Sequence, residues 1–240
     1  MQRRIVRKLD LERLLAQIRS HPSPDPALEQ YVTPVDVAAT MLHLAAYAND
    51  DVVDKTVLDL GCGTGRLALG ASYLGAKRVV GVDVDKASVK MALDAAEAIG
   101  LRGKTQWIAA DVGTVRGRFD TVLQNPPFGV QTRNADRKFL EKALEVGSSI
   151  YSLHKSLHDS SSLRARLRHN RDYPMPVSPS PFLSRFIEDH GGTVRAVYAM
   201  LMVIPHMFSF HTEKMHVFVA DLYIIGGKVK PAQETGAART

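Results

Sequence analysis

Thr121-Val-Leu-Gln-Asn-Pro-Pro-Phe-Gly129 is a short apolar run that stops at an amide, two prolines and an aromatic ring. Thr121 to Leu123 reads as a buried parallel strand, because β-branched and aliphatic residues dominate and no period-two polar face appears. Pro126 and Pro127 cannot donate to a ladder, and each pushes the residue before it into extended geometry. The strand therefore ends with the Asn125 side chain and the Pro126 carbonyl at its carboxyl end, where open α/β sheets place their ligands. An amide oxygen and a backbone carbonyl are two acceptors suited to an –NH2 group, and Phe128 offers a flat face for a planar ring. Taken alone, the same residues could be a plain strand-ending turn.

A second stretch bears on the choice. Val57-Leu-Asp-Leu-Gly-Cys-Gly-Thr-Gly65 is an apolar strand entering a glycine loop, and Arg66 to Leu74 reads as the helix that follows. Glycines there let the chain turn sharply and let a ligand approach where a Cβ would clash. A dinucleotide fingerprint needs its third glycine one place later, at the position of Arg66, so a nicotinamide cofactor is the weaker reading. Arg78-Val-Val-Gly-Val-Asp83 is the next strand. It ends in an acid about twenty residues past the loop, the spacing at which such folds bind ribose hydroxyls. Asp85 is placed to cap a helix over 86–99, and 106–110 is a third strand.

The two stretches together resemble the class I methyltransferases that use S-adenosylmethionine, in their amino-methylating branch with an Asn-Pro-Pro-Phe type of motif. Tyr151-Ser-Leu-His-Lys155 and Leu28-Glu-Gln-Tyr…Thr33-Pro resemble segments of the methyltransferase-like family that modifies adenine N6 in small-subunit ribosomal RNA. The resemblance covers residues 28–155 well and 182–225 loosely. It implies a Rossmann-like fold: a seven-stranded, mostly parallel sheet with a C-terminal antiparallel hairpin over 193–204 and 215–225, and helices on both faces. It further implies that S-adenosylmethionine, leaving as S-adenosylhomocysteine, is held by Gln30, Thr33, Asp59, the loop residues Gly61, Gly63, Thr64 and Gly65 with the adjoining Arg66, Asp83, the pair Asp111 and Val112, and Asn125. Asn125, Pro126, Pro127 and Phe128 form the catalytic motif. Two other readings stay open: a protein glutamine-N5 methyltransferase, and a non-catalytic RNA-binding assembly subunit that keeps the fold.

The 240 residues suit one α/β domain, and the formal net charge of +6 is compatible with a phosphate-bearing partner. One cysteine, Cys62, gives neither a disulfide framework nor a zinc cluster, which suits a cytoplasmic protein. His206, His211 and His216 lack the carboxylate or thiolate company of a metal site. No signal peptide or membrane span is expected. The amino-terminal part, 1–33, is expected to supply an amphipathic helix over 9–20, with Leu11, Leu14, Leu15 and Ile18 inward, and a cofactor-covering segment. Thr33 is expected to cap a helix that starts at Pro34. Basic residues gather at Arg3, Arg4, Arg7 and Lys8, and again at Arg164, Arg166, Arg168 and Arg171. The second group lies in a Ser/Pro-rich excursion, 156–181, which reads as an insertion or flexible loop and is expected to contact RNA phosphates. The tail 229–240 is expected to be disordered. By resemblance, a small zinc-binding activator protein could add to the sheet edge near Val79, Val80 and Val82.

Overall fold

Strands rich in valine, leucine and isoleucine, buried on both faces, build the centre of this chain, as the apolar runs in the sequence require. A computed structural model describes residues 5–30, 32–128, 135–170, 174–205 and 215–228. Its strands are β1 (Thr56–Leu60), β2 (Arg78–Asp83), β3 (Thr105–Ala109), β4 (Phe119–Gln124), β5 (Gly147–Lys155), β6 (Met175–Pro176), β7 (Thr193–Pro205) and β8 (Met215–Gly226). They form one sheet in the order β3-β2-β1-β4-β5-β8-β7-β6. The first five neighbours run parallel. Strand β8 then inserts antiparallel between β5 and β7.

The helices are α1 (Lys8–Leu15), α2 (Val35–His43), α3 (Arg66–Tyr73), α4 (Lys86–Ala98), α5 (Ala135–Val146), α6 (Ser161–His169) and α7 (Pro181–Asp189). One apolar core joins α1, α2 and α3 to one face of the sheet through Leu11, Leu15, Met41, Leu42, Leu69 and Leu123. The other packs α5 and α7 on the opposite face through Leu58, Val122, Leu140, Leu144 and Ile187. Among the described residues, no helix is long and apolar enough to cross a membrane.

Two expectations are corrected here. The sheet has eight strands, not seven. The eighth, β6, comes from the supposed flexible excursion and pairs Met175 and Pro176 with Ala199 and Tyr198 at the exposed edge of β7. The same excursion carries α6, whose Leu163 and Leu167 bury against Ala199, Leu201 and Val219. An arginine-rich helix is stable here because two leucines four residues apart share one inward face. Strand β2 lies next to one edge of the sheet, near it as expected: Val79, Val80 and Val82 are core, and the edge strand itself is β3, where Ile108 is exposed. Arg3, Arg4, Arg171, His206, His211 and residues 229–240 lie outside the described residues.

The long hairpin of β7 and β8 reaches past the last residue of β5. Lys155 is paired with Ala220, whereas the hairpin continues through Met202 opposite Phe218 to Pro205 opposite Met215. That extension rises beside the carboxyl end of β4.

Candidate active site

A cavity of about 500 Å³ opens at the carboxyl ends of the parallel strands. Its wall takes Gly61 after β1, Asp83 at the end of β2, Asp111 after β3, and Asn125 and Pro127 after β4. The sheet order reverses between β1 and β4, the crevice where α/β folds bind ligands. Its size is that of a small-molecule pocket.

The glycine loop makes the floor. Gly65, at φ +86°, ends it, and a Cβ there would come within 2.6 Å of the Trp107 ring, so the indole lies directly beneath the loop. Gly63, at φ +51°, is different, since a Cβ there would meet no atom within 4 Å. Its positive φ favours glycine, and the open space beside it leaves room for a ligand. The Gly63 amide donates to Asp83 Oδ2 at 2.8 Å, and the Asp85 amide donates to Asp83 Oδ1 at 2.9 Å. These bonds fix the Asp83 carboxylate between the loop and α4, with lone pairs left for a diol. Burial raises its pKa.

Asp59 lies behind the loop and is 1% exposed. Its Oδ2 accepts from the Ala68 amide at 2.8 Å, and its Oδ1 is buried with no hydrogen-bond partner among the described residues. Burial first, then the charge of Asp83, pushes its pKa up to about 7. A buried, half-satisfied carboxyl is costly unless a donor arrives, which suits the ammonium group at the amino-acid end of S-adenosylmethionine. Asp111 and Val112 lie at the opposite side. Asp111 accepts from the Gly113 amide at 2.8 Å and from Lys138 Nζ at 2.7 Å, and the lysine holds its pKa below the usual carboxylate range. Val112 is buried and lines the cavity. The residues present therefore fit the cofactor that the resemblance implies.

The amino-terminal segment forms the roof, with two expected contacts turned to a different use. Gln30 Nε2 donates to Asp85 Oδ2 at 3.0 Å, while Gln30 Oε1 accepts from the Asp25 amide at 2.7 Å. Arg66 points its guanidinium at the roof, donating to the Thr33 carbonyl at 2.6 Å and the Ile18 carbonyl at 3.0 Å. Burial lowers its pKa to about 10, still far above neutrality, so the arginine stays charged. Both side chains line the cavity, and both fasten the segment above it. Thr33 does not cap α2: Pro34 is extended at ψ 147° and the helix begins at Val35. The Thr33 hydroxyl is instead taken by Asn125, whose Nδ2 donates to Thr33 Oγ at 3.0 Å.

Asn125 thereby keeps its nitrogen occupied and its oxygen open. Oδ1 is buried with no hydrogen-bond partner among the described residues. Pro126 is buried, and Phe128 meets Phe218 of the raised hairpin edge to face, with centroids 5.4 Å apart. Phe128 packs against the core and lies beside the cavity rather than in its wall. Behind the motif, Gln124 Nε2 donates to Ser152 Oγ at 2.8 Å, and Ser152 Oγ is 2.7 Å from His154 Nε2. Burial lowers the His154 pKa to about 4, so this imidazole is neutral.

Of the arginines expected to meet RNA, Arg164 is tied to Asp159 by bonds of 2.6 and 2.8 Å. Arg166 and Arg168 are exposed in the last turn of α6, where they also complement the helix dipole. Sequence reasoning missed Lys138, Phe218 and the buried Glu29, which stands at φ +48° in the roof. Helical spacing puts Lys138 on an outer face, and nothing local links Phe218 to Phe128.

Residues 33–150 match the methyltransferase small domain family. The chain is 34% identical over 223 residues to an uncharacterized protein of Methanocaldococcus jannaschii, covering 88% of this chain and 90% of that one. It is 36% identical over 153 residues to the rRNA N(6)-adenosine-methyltransferase METTL5 of Danio rerio, covering 61% of this chain and 73% of that one. Among solved structures, that of a candidate RNA methyltransferase from Pyrococcus horikoshii superposes with a TM-score of 0.77 at 34% identity, covering 94% of this chain and all of that one.

Proposed function

Because the chain belongs to the family of the METTL5 methyltransferases, S-adenosylmethionine-dependent enzymes that act on RNA, we propose that it methylates the exocyclic N6 of an adenine, in ribosomal RNA. The observation that carries the reading is the Asn125 oxygen, a buried acceptor without a partner among the described residues, on a residue that lines the cavity that fits the cofactor.

S-adenosylmethionine, when bound, supplies a methyl group already activated by its sulfonium. The protein's task is then to hold an amine in line and make its lone pair available. Adenine's amino lone pair is delocalised into the ring. Accepting its two N–H groups at Asn125 Oδ1 and the Pro126 carbonyl favours a pyramidal nitrogen, and these bonds strengthen as positive charge develops there. Phe128, braced by Phe218, stacks on the base for about 1–3 kcal/mol. An adenine in a duplex must be turned out of its stack to reach this site, so the target is unpaired or looped.

Arg166 and Arg168, with Arg164 held by Asp159, act as a sequence-blind phosphate contact from α6, which packs beside the carboxyl end of β5, and Arg171, outside the described residues, is assigned the same role. The edge strand β3, with Ile108 47% exposed, is where an activator protein would add a strand, rather than at the buried valines of β2. The test of the reaction is transfer of tritiated methyl from S-adenosylmethionine to RNA and to protein extracts. Label in RNA supports the proposal. Label in protein alone supports glutamine methylation, and binding without transfer supports an assembly subunit.

A further inference from the structure

Thr33 is held from two sides. Its carbonyl accepts from Arg66 Nη1 at 2.6 Å, and its hydroxyl oxygen accepts from Asn125 Nδ2 at 3.0 Å. The residue is 6% exposed, so solvent is poorly placed to replace either partner. The rest of the roof is fastened to the same base, since Gln30 reaches Asp85 at 3.0 Å and Arg66 also holds the Ile18 carbonyl at 3.0 Å. The seat of this segment over the cofactor cavity and the orientation of the motif's amide are thus joined through one residue.

An asparagine amide has two ends of opposite hydrogen-bonding sense, and it rotates in a broad torsional well. An amine substrate needs the oxygen end. With the nitrogen end facing the substrate, donor would meet donor, and a buried polar group would be left unmet. Asn125 lines the cavity, and partnering Nδ2 with Thr33 Oγ leaves Oδ1 as the end without a hydrogen-bond partner among the described residues. A helix cap would spend the hydroxyl on α2, but Pro34 stays extended and releases it for this use.

We infer that Thr33 is a positioning residue for the transfer step, setting Asn125 with its oxygen toward the substrate amine and linking that setting to the closed roof. The inference rests on the proposed amine methylation. It separates from the cofactor contact that the family resemblance gives Thr33: a cofactor ligand acts on cofactor affinity, whereas a positioning residue acts on turnover at saturating cofactor.

The experiment compares Thr33→Val, which keeps the shape and removes the hydroxyl, with Thr33→Ser, which restores it, and with Asn125→Ala. Cofactor affinity is read by calorimetry with S-adenosylmethionine, and kcat by methyl transfer to RNA with both substrates saturating. The expected result is a fall in kcat of about 10- to 100-fold in Thr33→Val, cofactor Kd within about twofold of the parent, and recovery to within about threefold in Thr33→Ser. Unchanged kcat in Thr33→Val, with Asn125→Ala inactive, would overturn the inference and leave the amine reading standing. Raised cofactor Kd with unchanged kcat would also overturn it, assigning Thr33 to the cofactor alone. Full turnover in Asn125→Ala would overturn the amine reading itself. If the valine variant is not recovered folded, Thr33→Ala is measured against the same outcomes.

Discussion

Replacing Asp59 by asparagine should stabilise the ligand-free protein, by an amount that grows with pH. The carboxyl sits behind the glycine loop, 1% exposed, with one oxygen bonded to the Ala68 amide and the other unpartnered among the described residues. Burial raises its pKa from 3.8 to about 7. Between those values the unfolded chain has lost the proton and the folded one retains it. Folding is therefore linked to proton uptake, and stability falls as pH rises through this window, then levels off above about 7. At 1.36 kcal/mol for each pH unit, the whole penalty is about 4 kcal/mol. Asparagine mimics the protonated acid and can still accept from Ala68, so it escapes the penalty. Urea unfolding at pH 4.5 should find Asp59→Asn more stable than the parent by only about 1 kcal/mol, and at pH 8 by up to about 4 kcal/mol. The difference between the two chains isolates Asp59 from Asp83, Asp136 and Asp221, whose pKa values burial also raises. Stability curves that stay parallel from pH 4.5 to 8 would overturn this expectation, because they would mean that Asp59 ionises in the fold as it does in the open chain. Saturating S-adenosylmethionine, a cation, should narrow the gap at pH 8.

Other perturbations probe the rest of the site. Arg66→Met removes two charge-assisted bonds to the roof, each of about 1.5–3 kcal/mol, partly offset by no longer burying a cation. Hydrogen exchange over residues 19–33 should quicken and cofactor affinity should fall about tenfold, and unchanged exchange would show that the roof does not depend on Arg66. Asp83→Ala should raise the cofactor dissociation constant. The signal is available from the fluorescence of Trp107, the only tryptophan, which lies beneath the glycine loop, and unaltered affinity would remove the ribose assignment. Converting Arg166 and Arg168 to glutamine should lower the salt slope of RNA binding by about one for each phosphate no longer neutralised, with cofactor binding intact. A slope that does not move would make α6 a solvated face.

How far the sequence could be read depended on whether the deciding interaction was local. Strands β1 and β2 fall where apolar runs and Asp83 indicated, because their signals lie within a few residues of their ends. Asp85 caps α4 as expected, accepting from the Ala87 and Ser88 amides. Thr33-Pro34 carries the ordinary signature of a helix start, yet its hydroxyl is claimed by Asn125, 92 residues away, and no local rule carries that competitor. Gln30 and Arg66 were placed at the cavity by resemblance, but their polar atoms bond to Asp85 and to backbone carbonyls, which only the fold brings near. Strand β6 is two residues long and exists because β7 offers a bare edge, so no periodicity could announce it. The α6 arginines hid a helix because charge dominated the composition while Leu163 and Leu167 supplied the inward face.

Whether Asn125 presents its oxygen to an adenine amine can be read from the product itself, by nucleoside mass spectrometry. Unmodified small-subunit ribosomal RNA is incubated with S-adenosylmethionine and either the parent protein or Asn125→Ala. N6-methyladenosine should form with the parent and not rise above background with the variant, while cofactor affinity stays similar in both. A different methylated nucleoside, or equal N6-methyladenosine from the two proteins, would contradict the role given to Asn125.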